Sequence, residues 1–149
     1  MSLVEVLAEY EEMLRERYSQ YVGLKAEGDL VKAGETLWSM IMVLLSMIGL
    51  LLGSGPLARH REAKVFVKTE LAALYGSLYG GDPGRLVALF EAAERLHANF
   101  YHEFLDTEQL LWRLGAGEEL ATLLRGILDS LAENPAREDR HPRESGGAA

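Results

Sequence analysis

Between Leu37 and Ala58 the chain runs for 22 residues without a charged side chain. The apolar part of this stretch ends at Leu52, and Gly53-Ser54-Gly55-Pro56 follows as a helix stop. From Leu37 to Leu52 is 16 residues, roughly 24 Å of helix at about 1.5 Å per residue, against a bilayer core about 30 Å thick. The stretch therefore reads as part of a buried helix over about Leu30 to Leu52, not as a membrane span. Its main seam is Leu30, Gly34, Leu37, Ile41, Leu44, Ile48 and Leu51, a four-three alternation. Met40, Val43, Met47 and Leu50 form a second stripe, and Trp38, Leu45 and Leu52 a third. A helix that is apolar all round must be covered all round. Either it lies at the centre of a bundle or one stripe meets a second copy. The second option predicts a homodimer contact through Trp38, Met40, Val43 and Met47.

Four further helical segments surround this one. Ser2 and Glu5 form a capping box, and Leu3, Leu7, Tyr10, Leu14, Tyr21 and Leu24 make the seam of a first helix that ends at Gly28-Asp29. A third helix is expected over about Leu57 to Tyr79, with Ala63, Phe66, Val67, Leu71, Leu74 and Leu78 inward. Asp82-Pro83 reads as N-cap and first-turn proline of a fourth, with Leu86, Phe90, Ala93, His97, Phe100 and Phe104 along its seam. Asp106 with Gln109 caps a fifth, whose seam keeps its phase through Gly115 and Gly117, so it runs unbroken. No strand pattern competes. Short turns between long amphipathic helices predict an all-α, up-and-down antiparallel bundle of about five helices in one domain, residues 1–133, with a disordered tail over 134–149.

Composition narrows the function. There is no cysteine, which excludes disulfides, thiolate metal sites and a cysteine nucleophile. The net charge of −8 disfavours a generic nucleic-acid binder. Residues 2–16 carry five glutamates, the wrong sign for a targeting leader, so a cytoplasmic protein is expected. Only Asn99, Asn134, Gln20 and Gln109 carry side-chain amides, a scarcity seen in heat-adapted proteins.

Three groups of residues could carry chemistry. His97 lies on the core seam of the fourth helix with Glu94 and Tyr101 flanking it, and reads either as a ligand-binding group or as a core histidine hydrogen-bonded to Tyr101 or a backbone carbonyl. Glu94 and His97 have the Glu-x-x-His spacing of di-iron bundles, but the second such pair is missing, so no metal and no cofactor are expected. Arg95, Asn99 and His102 share the opposite face, where they form a phosphate-binding and proton-moving set or a plain exposed surface. Arg59, His60, Arg61, Lys64 and Lys68 gather at the start of the third helix, either as an anion site at its N-terminus or as counter-charges to the acidic first helix or a partner.

Gly28-Asp29-Leu30, Glu35-Thr36-Leu37-Trp38, Arg59-His60-Arg61-Glu62 and Leu96-His97-Ala98-Asn99-Phe100-Tyr101 together resemble the PaREP family of archaeal helical proteins, over roughly residues 4–131. That family looks similar in architecture to the HEPN superfamily, whose members include dimers, ribonucleases and partners of minimal nucleotidyltransferases. The resemblance thus implies a homodimer and a nucleotidyltransferase-type protein as a possible partner. The HEPN ribonuclease signature is an arginine followed after four to six residues by a histidine. Arg95 and His102 match it, although Leu96 stands where a polar residue is usual. The preferred expectation is a homodimeric interaction module. The alternatives are a metal-independent ribonuclease using Arg95 and His102, and a small-ligand-binding bundle around His97.

Overall fold

A computed structural model describes residues 1–133. Among these residues the chain is helical with no strand. The helices are α1 (Leu3–Ala26), α2 (Leu30–Leu51), α3 (His60–Phe66), a π-helical segment (Val67–Leu71), α4 (Ala72–Tyr79), α5 (Pro83–His102) and α6 (Thr107–Glu133). Helix α3, the π segment and α4 follow one another without a break, so the architecture is five rods, as the periodicity predicts. The tail expected to be disordered lies outside the described residues.

Local chemistry sets the boundaries. The Ser2–Glu5 capping box closes the start of α1 through two reciprocal hydrogen bonds of 3.2 Å. Asp29 caps α2, Asp82 caps α5 ahead of Pro83, and Asp106 with Gln109 caps α6. The third rod starts three residues later than the sequence suggests. Leu57 is withheld from it because its N–H donates to the buried Ser46 hydroxyl at 3.1 Å, and Glu62 closes a box on the Arg59 N–H at 3.1 Å.

Helix α2 is the hub, packed against α1, α5 and α6. Its three apolar stripes are consumed there. Trp38, Met40, Val43 and Met47, expected at a contact between chains, are only 5, 6, 6 and 2% exposed within a single chain. The reason is geometric: with neighbouring helices on three sides, little of any stripe is left to solvent. The apolar surplus of α2 therefore does not locate an interface. It is the one helix among the described residues long and apolar enough to cross a bilayer, and most of it is buried by its neighbours.

Two helix crossings depend on missing side chains. A Cβ on Gly117 of α6 would come within 2.6 Å of the Leu37 side chain, and one on Gly34 of α2 within 3.1 Å of Leu96. Both glycines let a buried leucine of the facing helix seat against backbone. Gly115, two residues from Gly117, meets nothing within 4 Å.

Candidate functional site

Two regions gather the chemistry-bearing residues: a histidine cluster beside Trp38, and the corner where α5 turns into α6.

The cluster begins with Glu35, the sole carboxylate of α2. An acidic side chain in so apolar a helix requires a partner, and finds it in His97 of α5. The His97 Nδ1 lies 2.8 and 3.0 Å from the two Glu35 oxygens. His97 is mostly buried and hydrogen-bonded, as its seam position implies, with 32% of its side chain exposed. Its partner, however, is neither Tyr101 nor a backbone carbonyl. Tyr101 touches the ring edge-on at 5.3 Å and is itself exposed. On the other side, His97 stacks on Trp38 at 5.7 Å. His60 of α3 meets the same indole edge-on at 5.3 Å, which brings the two imidazoles to 5.9 Å. The Nε2 of His60 is held by the Glu94 carboxylate, and Lys64 lies 3.5 Å from that same carboxylate. Each imidazole is thus tethered by one nitrogen to a carboxylate, and the other nitrogen has no protein partner among the described residues.

The same arrangement engages the lysines of the basic run at the third rod. Lys64 pairs with Glu94 and Lys68 with Glu91 at 3.8 Å, so these lysines neutralise α5 and not the acidic α1. At the N-terminus of α3 the Glu62 carboxylate accepts the Arg59 N–H at 3.1 Å and so places an acidic group beside Arg59, His60 and Arg61. Arg59 and Arg61 stay at the surface. Among the described residues no group of three or more potential ligands could hold a metal ion.

The corner contradicts the helical-wheel reading at Asn99. Expected on an exposed face with Arg95 and His102, Asn99 is buried, and its Oδ1 accepts the Leu105 N–H at 2.7 Å. Helix α5 stops at His102, Glu103 takes a left-handed conformation with φ of 45°, and the returning chain lies over Asn99. Its carbonyl oxygen therefore satisfies a loop N–H that the chain reversal would otherwise leave without a partner. The same reversal strands the aromatic end of the α5 seam. Phe100 and Phe104, expected inward, are exposed, as are the neighbouring Tyr101 on α5 and Leu111 and Trp112 on α6. The two largest of them, Tyr101 and Trp112, are 64 and 65% exposed.

Arginines lie over two of these rings. The Arg95 guanidinium sits 4.9 Å from the Phe104 ring centre, and that of Arg113 sits 5.4 Å from the Trp112 ring centre. Arg113 also donates to the Ala92 carbonyl at 3.3 Å. Its pKa is lowered, first by partial burial and then by the Arg95 charge nearby. Arg95 and His102 are both exposed on α5, two turns apart, roughly 10 Å along the axis.

A third polar contact, missed in the sequence, ties α1 to α6. The buried Tyr21 hydroxyl donates to Glu118, which also takes Lys25 at 2.7 Å. Burial and the bond to Glu118 push the Tyr21 phenol well above the ordinary tyrosine range. Burial alone would raise Glu118, but hydrogen bonds from Lys25 and Tyr21, with the Lys25 charge, hold it below its ordinary value.

Compared with known proteins, the chain matches no family model, no curated protein and no solved structure.

Proposed function

We propose that this chain is a cytoplasmic, homodimeric interaction module of the PaREP type, joined through the α5–α6 corner. The observation that carries the reading is the exposed set of Tyr101, Phe104, Leu111 and Trp112 overlaid by Arg95 and Arg113. Tryptophan, tyrosine and arginine are the residues that dominate binding energy at interfaces. The composition of this set suits a contact between two copies. It holds exposed rings, the guanidinium groups that stack on rings, and the carboxylates of Glu103 and Glu108 beside them. A two-fold axis can therefore match each element with its counterpart in a second copy. A nucleotidyltransferase-type protein, implied by the family resemblance, is the alternative occupant of the same face.

The test is light scattering across micromolar concentrations on wild type and on Trp112→Ser. A wild-type dimer that becomes a monomer in the variant, with helicity unchanged, supports the reading. A wild-type monomer, or a dimer indifferent to Trp112, overturns it.

Ribonuclease activity is the second reading, favoured by the exposure of Arg95 and His102 on this same corner. An RNA-cleaving surface needs a positive rim, and here Glu91, Glu103 and Glu108 interrupt it. The expected outcome with single-stranded RNA in EDTA is no cleavage above background. Cutting that His102→Ala abolishes would replace the module with an enzyme.

A further inference from the structure

A cleft of about 570 Å³ opens between α1, α2 and the residues leading into α3. We propose that it binds a small organic monocarboxylate with an apolar body, a site independent of the corner through which the chain associates.

The volume is within the range of small-molecule sites. The apolar part is supplied by Met13, Met42, Val43 and Leu57, which line the cleft beside Trp38. Two of its polar groups, Arg17 and Ser46, keep donors with no acceptor among the described residues. Arg17 of α1 gives its Nε–H to the Ser39 hydroxyl, but its two terminal nitrogens meet no acceptor, and no carboxylate pairs with it among the described residues. Ser46 is only 6% exposed. Its hydroxyl accepts the Leu57 N–H at 3.1 Å, while its own proton has no acceptor among the described residues. A nearly enclosed hydroxyl with an unused proton is costly unless something in the cleft receives it.

The lining charges fix the ligand's charge. Glu35 is the one carboxylate on the wall, and it is already engaged by His97. The Arg17 guanidinium is the cation of the wall with no carboxylate partner among the described residues, so one carboxylate is its complement. A guanidinium edge matches a carboxylate in geometry as well as charge. The free nitrogens of His60 and His97 stand at the same rim and present further polar positions. A phosphate dianion would bring a second charge with no counterpart.

The probes are 4-phenylbutyrate, its neutral isostere 4-phenylbutan-1-ol, and phenyl phosphate. Each is titrated into the full chain while the amide resonances of Ser39, Ser46 and Leu57 are followed by NMR. Phenylbutyrate should shift all three saturably. The alcohol should bind about tenfold or more weakly, since a hydrogen bond to a charged group contributes about 1.5–3 kcal/mol. Arg17→Met keeps the aliphatic stem and should weaken phenylbutyrate by a similar factor, with Arg17→Gln as a polar control expected to behave alike. Circular dichroism checks that both variants remain helical. Absence of saturable shifts, equal affinity for the alcohol, or full affinity in the Arg17 variants would overturn the proposal. Tighter binding of phenyl phosphate would overturn the monoanion assignment. The Trp112→Ser variant should bind phenylbutyrate as wild type does, which separates failure of this site from failure of the dimer.

Discussion

Helix α2 has the longest apolar run in the chain, yet nearly all of it is hidden, whereas the charge-interrupted residues 100–112 expose five large apolar side chains. The difference is topological. Helix α2 has neighbours on three sides, so each stripe is largely buried whatever its phase. The corner lies where two helices meet and the chain reverses at Glu103, and no third element covers what falls outside the α5–α6 contact. Apolarity says that a surface must be covered. Its place in the fold says whether the chain can cover it unaided.

Stability should divide the two regions most sharply. Ile41 is fully buried in α2, and Ile41→Ala should cost about 2–5 kcal/mol by urea denaturation. Trp112→Ser, measured below the concentration of association, should change stability by no more than about 0.5 kcal/mol. Equal losses would make the corner part of the core and end the distinction. Next in size is His97→Ala, expected to cost about 1–3 kcal/mol because Glu35 loses its partner. An unchanged midpoint would mean that water serves Glu35 equally well.

Within α6 the two glycines should respond with opposite signs. Gly117→Val drives a branched side chain into Leu37 and should destabilise by about 1–3 kcal/mol. Gly115→Ala meets open space and should stabilise by about 0.5–1 kcal/mol through helix propensity. Destabilisation by both would show that α6 is sensitive on its outer face as well.

The smallest effect belongs to the Tyr21–Glu118–Lys25 contact. Glu118 has a depressed folded pKa, so its contribution is present above the ordinary glutamate value and is lost as pH falls through the carboxylate range. Tyr21 has a raised one, so its contribution holds below the ordinary tyrosine value and fades as pH rises beyond it. Glu118→Gln should flatten the acid limb of a stability-versus-pH curve, and Tyr21→Phe the alkaline limb. Parallel curves for wild type and variants would remove this contact from the account.

The rods, their caps and the continuity of α6 were legible because each rests on local rules: Ser2 with Glu5, Asp82 before Pro83, Asp106 with Gln109, and an unbroken seam through Gly115 and Gly117. The sites were less legible because they depend on which helices meet. Helical phase predicts that His97 faces inward, but not that α2 brings Glu35 to it. The clue was present in Glu35 itself, a lone carboxylate that an apolar helix could not leave unpaired. Helical phase fails altogether at Asn99, Phe100 and Phe104, because a wheel assumes that the helix continues and the chain reverses at Glu103 instead. Nothing in the spacing of Arg17 and Ser46 indicates that both would line one cleft, since they come from different helices.

The central claim is that a second copy covers the corner while Trp38 is already shielded within one chain. The two tryptophans report on the two regions separately: Trp38 is buried and Trp112 exposed in the single chain. Iodide quenching followed over a dilution series tests the claim most directly. The account predicts a constant protected fraction from Trp38, together with a Trp112 fraction that is shielded at high concentration and becomes quenchable on dilution. Quenching of Trp112 that is full and independent of concentration would contradict it.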